Sequence, residues 1–335
     1  MTRLFEVNIL DLLERNNVPG VSIALVEDGK LTWRRGFGIK NLVTRVPVDV
    51  HTVFESALLA KTLFAYAVLK FFKIEKLSID EPLVNYYSHP YTEWAFSPDN
   101  PNIKFVTLRH ILSHTSGFSN WDRLEGIHAG KLKFMPGEKF SYSGEGYIYL
   151  QRVLEFLSGY PLAQYMQKNI FIPFKMSNSS YIWLDKFSKN ISDGHGKRNV
   201  GLDTHWPEGF SAYSLYSTPS DMANFLIEII TAGKDDEFRL DKDDINKILT
   251  PQIDITSFCS WGLGWGIEHT SHGDYFWQWG DAGDFQCFLL GSIEQRWGFV
   301  IMTNSENGLG VCERLVYEIS GKEHPCASAE FLKHI

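Results

Sequence analysis

A long helix that is apolar on almost every side is the feature that most constrains the fold of this chain. Residues 57–73 have the sequence ALLAKTLFAYAVLKFFK, and Lys61 is the only charged residue before Lys70. Because such a helix has no polar face to turn toward water, other elements must surround it. A chain of 335 residues is long enough for one large domain or two of roughly 150 residues each. We therefore expect Lys61 in an apolar setting, where its charge needs a compensating partner.

Segments with strand character lie at the two ends of the chain. Two apolar runs, 21–26 and 31–37, flank an Asp-Gly turn and predict a β-hairpin. After about residue 260, short apolar or alternating runs separated by turn residues predict an antiparallel meander, and a helix is expected over about 308–320. The segment between the two ends is mainly helical, with helices expected at 107–113, 144–158 and from 220 to about 232.

This arrangement predicts an α/β (α+β) fold in which an antiparallel sheet is flanked by helices and carries a helical insertion domain. The hairpin is expected to join the C-terminal strands in one sheet. The sheet domain would then comprise residues 1–60 and 205–335, and the mainly helical domain residues 61–204. A cleft between the two domains is the expected active site.

Composition and charge exclude several classes of function. The net charge is -8 and no basic block occurs, which argues against a nucleic-acid partner. No apolar run approaches the roughly 18 residues of a membrane span, and Glu6 and Asn8 lie where a signal peptide would have its apolar stretch. We therefore expect a cytoplasmic protein with no membrane partner. The composition says nothing about the oligomeric state.

The cysteine and histidine patterns predict neither a metal nor another cofactor. The four cysteines, Cys259, Cys287, Cys312 and Cys326, form no C-x-x-C pair and are expected to be reduced, buried thiols. The eleven histidines are scattered and include no His-Glu-x-x-His pattern. Among them, His195 lies in Asp193-Gly194-His195-Gly196, a loop that we expect at the edge of the cleft, where it is a candidate substrate contact.

Several short motifs follow one another along the chain. They are Val18-Pro19-Gly20, Val53-Phe54-Glu55 before the helix with Lys61, LSHTSGF over 112–118, Phe140-Ser141-Tyr142-Ser143-Gly144, Ser217-Thr218-Pro219-Ser220-Asp221, and a strand over 299–304 that ends in Asn. In this order and spacing they resemble the serine β-lactamase and penicillin-binding-protein superfamily, and within it the class C β-lactamase-like esterases and peptidases. The resemblance covers about residues 15–325.

The resemblance implies a three-part catalytic site. A serine begins a helix and a lysine three residues later activates it; the two side chains lie about 60° apart on the helix and point into one cleft. A Tyr-x-Asn motif shares the proton transfer. A strand contributes Lys-Thr-Gly or His-x-Gly beside the substrate, and backbone N–H groups hold the oxyanion.

This chain departs from the family pattern in each part. The position three residues before Lys61 is Leu58, which cannot form an acyl-enzyme. The tyrosine motif keeps Tyr142 but has Gly144 in place of Asn. The third motif falls at Gln278-Trp279-Gly280, followed by Asp281, so that a glutamine replaces the family's Lys or His. Lys61 and Tyr142 are retained, and they are the candidate catalytic residues.

The other candidate site residues are assigned to binding. They are Leu58, Ser56, Glu145, Trp121, Trp277, Gln278, Trp279, Gly280 and Asp281. Among them, Glu145 is a possible charge partner of Lys61, or a carboxylate that suits a helix N-terminus. The tryptophans line the cleft or pack in the core.

Three functions remain open for a protein with these departures. The first is non-hydrolytic acid–base chemistry by Lys61 and Tyr142 on a bound small molecule or peptide: a cyclisation, elimination or isomerisation, in keeping with a biosynthetic pathway. The second is a non-catalytic binding protein whose pocket floor is made apolar by Leu58. The third is an esterase or amidase with a relocated nucleophile such as Ser56, although five residues place Ser56 about 140° around the helix from Lys61.

Overall fold

The computed structural model describes residues 8–87, 101–120, 132–196, 205–232 and 239–335. An antiparallel sheet of eight strands forms its centre, in the order β2-β1-β10-β9-β8-β7-β6-β5. Its strands are β1 (Gly20–Glu27), β2 (Lys30–Gly38), β5 (Ile253–Thr256), β6 (Cys259–Trp261), β7 (Gly266–Thr270), β8 (Gly273–Asp281), β9 (Gln286–Ser292) and β10 (Trp297–Thr303). A separate two-stranded ladder pairs β3 (Phe54–Glu55) with β4 (Tyr216–Ser217).

Helices cover the sheet and form the middle of the chain. They are α1 (Ile9–Arg15), α2 (Ala60–Ile74), α3 (Leu108–Leu112), α4 (Gly144–Ser158), α5 (Leu162–Met166), α6 (Pro219–Ile230), α7 (Lys242–Leu249), α8 (Gly308–Ser320) and α9 (Ala329–Leu332). None of the helices in the described ranges is both long and apolar enough to cross a membrane.

The expected fold class is confirmed. In the hairpin, β1 pairs with β2, and β1 also pairs with β10, so that Ile23 lies opposite Arg35 on one side and Ile301 on the other. The N-terminal hairpin therefore joins the C-terminal meander, as the sequence predicts. The central apolar helix is also confirmed, although it begins with a 3-10 turn over Ala57–Leu59 before α2.

Alternation along the strands divides the buried apolar side chains between two cores. Phe299 and Ile301 of β10 belong to a core with α1, α8 and α9, and Val300 and Met302 belong to a core with α2, α4 and α6. The second core is continuous from the sheet into the helical middle of the chain. The division into two domains at residues 60/61 and 204/205 stays a prediction.

Candidate active site

The start of α2 is held in place by the short β3–β4 ladder. After β3, the Ser56 N–H donates to the carbonyl oxygen of Leu215 at 2.7 Å, and Ala57 adopts a left-handed backbone with φ of 46°. The 3-10 turn then presents Leu58, which is 6% exposed, three residues before the fully buried Lys61. That Leu58 and Lys61 belong to one site stays a prediction.

The Lys61 ammonium lies between a carbonyl group and aromatic rings. Its Nζ donates to the Ala212 carbonyl oxygen at 3.1 Å and lies 4.8 Å from the centroid of the Tyr142 ring and 5.7 Å from that of Tyr147. A cation over a ring face is attracted by the ring quadrupole. Burial disfavours the charged form and lowers the pKa of Lys61 well below its usual value. Burial therefore favours the neutral amine form of the Lys61 side chain.

Gln278 of β8 connects the other two parts of the site. Its amide nitrogen donates to the Leu58 carbonyl oxygen and to the Tyr142 hydroxyl oxygen, both at 3.1 Å. Both Gln278 and Tyr142 are buried. Because the Leu58 carbonyl only accepts hydrogen bonds, the orientation of the amide is determined. The Gln278 Oε1 atom is buried and has no hydrogen-bond partner among the described residues.

His114, which belongs to the LSHTSGF motif over 112–118, packs behind the ring of Tyr142. Its ring lies 4.1 Å from the Tyr142 ring, centroid to centroid, and its Nδ1 accepts the Ser143 N–H at 3.1 Å. The neutral ring therefore carries its proton on Nε2. Burial, and then the nearby Lys61, lower the pKa of His114 well below its usual value. His114 is a positioning residue for Tyr142 that the sequence alone did not reveal.

Burial also determines the protonation of Tyr142. Removal from water raises the pKa of the Tyr142 hydroxyl well above its usual value, although the Gln278 hydrogen bond opposes that shift. Tyr142 therefore stays a neutral phenol, beside an amine of lowered pKa. Opposite shifts of two neighbouring groups are what a base and an acid require.

The two tryptophans that flank Gln278 lie on the same face of β8. The Trp279 ring packs on Tyr142 with centroids 4.8 Å apart and is 5% exposed. Trp277 points to the same side of β8, into the core that also holds Tyr142. Its ring is fully buried and lies 5.8 Å from that of Trp279 and 6.0 Å from that of Phe288. Trp279 thus contacts Tyr142 directly, and Trp277 packs against Trp279 and Phe288. A role of Trp277 in the cleft stays a prediction.

Gly280 and Asp281 shape the end of β8. A Cβ atom on Gly280 would lie 2.4 Å from Cys287 Sγ and 3.0 Å from the Ser56 carbonyl oxygen, so the strand can approach the start of α2 only with glycine here. Asp281 accepts the Gly283 N–H at 2.7 Å and the Gln286 amide at 2.9 Å. Its carboxylate therefore holds the turn between β8 and β9.

The remaining predicted residues are Ser56, Glu145 and Trp121. The Ser56 hydroxyl is fully buried, and its contacts are the Phe54 carbonyl oxygen at 3.5 Å and Met302 Sδ at 4.0 Å. Glu145 lies half-buried in the first turn of α4, where a carboxylate suits the helix dipole. Trp121 lies outside the described residues.

The described part of the chain contains no group of three or more His, Cys, Asp or Glu side chains that could hold a metal ion. All four cysteines are buried thiols without a disulfide. The chemistry that the described site offers is therefore that of Lys61, Tyr142 and Gln278. The site also includes His114 and the Ala212 carbonyl, and neither was predicted as part of the site from the sequence.

The chain is similar to several known proteins. The family model described as "Beta-lactamase" matches residues 5–317. Protein flp of Staphylococcus aureus (strain NCTC 8325 / PS 47) is 24% identical over 319 residues, which are 87% of this chain and 61% of that protein. This chain thus spans about three fifths of the length of that relative.

Two solved structures share the fold at low sequence identity. The octameric penicillin-binding protein homologue from Pyrococcus abyssi superposes with a TM-score of 0.77 at 22% identity, covering 94% of this chain and 76% of that one. The D-alanine carboxypeptidase AmpC from Burkholderia cenocepacia has a TM-score of 0.76 at 18% identity, covering 93% and 96%.

Proposed function

The chain belongs to the beta-lactamase family, and from that premise we propose that it binds a small molecule or peptide in the family cleft without forming an acyl-enzyme. The Gln278 side chain carries this proposal. Its amide nitrogen donates hydrogen bonds to the Leu58 carbonyl oxygen and the Tyr142 hydroxyl oxygen. Its buried Oε1 atom has no hydrogen-bond partner among the described residues. Since buried polar atoms are nearly always hydrogen-bonded, a ligand N–H or O–H group would complete this site.

Leu58 is the reason to exclude acylation at the family position. In the motif that begins at Phe54, the nucleophile stands three residues before Lys61, and a leucine has no atom that can attack a carbonyl. Ser56 offers no replacement, because its hydroxyl contacts Phe54 and Met302. An amide at position 278 also cannot supply the charge that a Lys or His would bring.

Intact-protein mass spectrometry tests this proposal. The chain is incubated with a fluorophosphonate probe and a panel of β-lactams, beside the variants Leu58→Ser and Leu58→Ala. We expect no adduct on the natural chain or on Leu58→Ala, which removes the same volume without adding a hydroxyl. We expect one adduct on Leu58→Ser, which peptide mapping assigns to residue 58.

Each of the other outcomes contradicts a part of the proposal. A stoichiometric adduct on the natural chain would mean that a serine elsewhere is activated, and the hydrolase hypothesis would return. A folded Leu58→Ser variant that stays unlabelled would show that residue 58 does not occupy the nucleophile position.

A compound screen tests the binding half of the proposal. Thermal shifts are measured for a metabolite and dipeptide library on the natural chain, on Gln278→Leu and on Gln164→Leu, a control at an exposed glutamine of α5. Compounds that bind at the proposed site should stabilise the natural chain and the control but not Gln278→Leu. Hits that stabilise all three proteins equally would place binding elsewhere.

Acid–base turnover is the second candidate, and the opposite pKa shifts of Lys61 and Tyr142 favour it. A neutral amine would accept a proton and a neutral phenol would donate one. The test is nuclear magnetic resonance of a screening hit incubated with the protein. A hit that is converted, with conversion abolished in Lys61→Met and Tyr142→Phe, would support this function; a hit recovered unchanged would leave binding alone.

A further inference from the structure

A cavity of about 570 Å³ lies between α8 and the segment that follows it in the chain. Its volume is in the range of about 300 to 1,000 Å³ that small-molecule sites occupy. Glu313 and Tyr317, four residues apart on one face of α8, line one side. Glu323 and His324 line the other side.

His324 is anchored to strand β7 through its Nδ1 atom. Glu268 of β7 accepts the Cys326 N–H at its Oε1 atom, at 2.9 Å, and its Oε2 atom lies 2.6 Å from His324 Nδ1. An ionised carboxylate only accepts hydrogen bonds, so Nδ1 carries the shared proton. The His324 and Glu268 side chains are 1% and 0% exposed. This buried pair therefore fixes the orientation of the imidazole ring.

The second nitrogen of this ring, Nε2, is a buried atom with no hydrogen-bond partner among the described residues. Glu268 and the Tyr275 ring, whose centroid lies 4.7 Å from that of His324, hold the imidazole from the side of the strands. Nε2 lies on the ring edge opposite to Nδ1 and so points away from β7, toward the side on which His324 lines the cavity. With Nδ1 protonated, Nε2 of the neutral ring is an acceptor. Since buried polar atoms are nearly always hydrogen-bonded, a donor group of a ligand would complete this site.

The charges around the cavity favour a cationic donor. Glu313 and Glu323 add two exposed carboxylates to the lining, and the Glu268 carboxylate behind the imidazole makes Nε2 a stronger acceptor. Arg314, which also lines the cavity, forms an ion pair with Glu318, so that its positive charge is balanced by that carboxylate. A protonated amine is the hydrogen-bond donor that this negative lining attracts.

We propose that the cavity between α8 and His324 is a binding site for a protonated primary amine on a short aliphatic chain. The ammonium group would donate to His324 Nε2 and lie in the field of Glu313 and Glu323, while the carbon chain would pack on Tyr317 and Pro325. This site does not depend on the function proposed above, because it shares no residue with the Lys61–Tyr142 centre.

Calorimetric titration with butylamine, which is protonated at neutral pH, tests this site, with butanol and butyrate as neutral and anionic analogues. We expect saturable binding of butylamine and at least about tenfold weaker binding of both analogues. His324→Phe keeps a ring but removes Nε2, and it should raise the Kd for butylamine by about tenfold or more, the loss expected for a hydrogen bond to a charged group. His334→Phe, the same change at a side chain that is 74% exposed and outside the lining, is the matched control and should leave the Kd unchanged.

Two further measurements cover the case in which His324→Phe does not fold. Glu323→Gln removes one exposed charge and should raise the Kd for butylamine by about two- to fivefold. With fluorotyrosine incorporated into the natural chain, butylamine should move the resonance that is missing in Tyr317→Phe. No saturable binding of butylamine, equal affinity for butanol or for butyrate, or an unchanged Kd in folded His324→Phe would each overturn the proposal. An unchanged Kd in Glu323→Gln, or a shift confined to other tyrosine resonances, would overturn it as well.

Discussion

Replacing Lys61 with Met should produce a stability difference from the natural chain that depends on pH. In the folded chain, burial holds the pKa of Lys61 well below its usual value of 10.5, whereas the unfolded chain exposes the ammonium to water. Between the lowered folded pKa and 10.5, the unfolded state binds one proton more than the folded state. The free energy of unfolding then rises with pH, by about 1.4 kcal/mol per pH unit.

The sign of the effect follows from this proton count. As pH falls from 10.5, the natural chain loses stability until the folded pKa is reached, and below it the full loss is present. Lys61→Met has no proton to exchange at this position. The stability of the variant relative to the natural chain should therefore increase by about 1.4 kcal/mol for each unit by which the pH falls within this window.

Two other contributions to stability do not change how this difference depends on pH. Met gives no donor to the Ala212 carbonyl oxygen, which Lys61 reaches at 3.1 Å, and an unsatisfied buried acceptor costs about 1–3 kcal/mol. That cost changes the stability difference between the variant and the natural chain by the same amount at every pH. Burial also raises the pKa of Cys287 and Tyr142, but those groups are present in both proteins and their effects cancel in the difference.

Urea unfolding followed by tryptophan fluorescence at several pH values between neutral and mildly alkaline measures this difference. The control is Lys247→Met, at a side chain 75% exposed, whose difference from the natural chain should not vary with pH. A constant difference for Lys61→Met across the range would refute the reasoning. It would show that Lys61 remains charged when buried, and the acid–base candidate would lose its base.

Three further predictions concern buried residues outside the Lys61–Tyr142 centre. Ala57→Gly should raise the free energy of unfolding by about 0.5–1 kcal/mol, because glycine tolerates the φ of 46° that strains alanine; a loss of stability in urea unfolding would contradict it. Asn304→Ala should lower stability by about 2–3 kcal/mol, since the buried Asn304 accepts the Gly20 N–H at 2.7 Å and its loss leaves that donor unpaired; a change below about 0.5 kcal/mol, the size of an ordinary surface substitution, would refute this. Glu268→Gln should lower the melting temperature, because the two carboxylate oxygens accept from His324 Nδ1 at 2.6 Å and from the Cys326 N–H at 2.9 Å, whereas an amide has a single acceptor oxygen; calorimetry that shows no decrease would rule out this role.

Local patterns in the sequence predicted most of the regular elements. The β1–β2 hairpin, α4 and α8 form where apolar periodicity and turn residues place them, because these signals act between residues close in the chain. The short helix α1 was not predicted; it begins at an Asn8 cap and has only two buried residues, Ile9 and Leu13. So small an apolar face gives little periodic signal.

The candidate site was predicted in part. The motif order identified Lys61, Tyr142 and Gln278, and the structure brings them together. It turns the Ser56 hydroxyl toward the Phe54 carbonyl oxygen and Met302 instead, because the direction of a side chain at a helix start depends on how that end packs against the sheet. His114 was missed because its contact with Tyr142 arises only when the loop before α4 folds back.

The sequence by itself determined that a nearly all-apolar helix carries a lysine and that a leucine stands three residues before it. Only the tertiary structure decided what surrounds them. The Gln278 amide reaches Tyr142 across 136 residues and the Leu58 carbonyl across 220. The tertiary structure also places Glu55 and His195 in the lining of one cavity. Contacts at such separations depend on the register of the sheet and on how two cores pack, and no local pattern encodes either one.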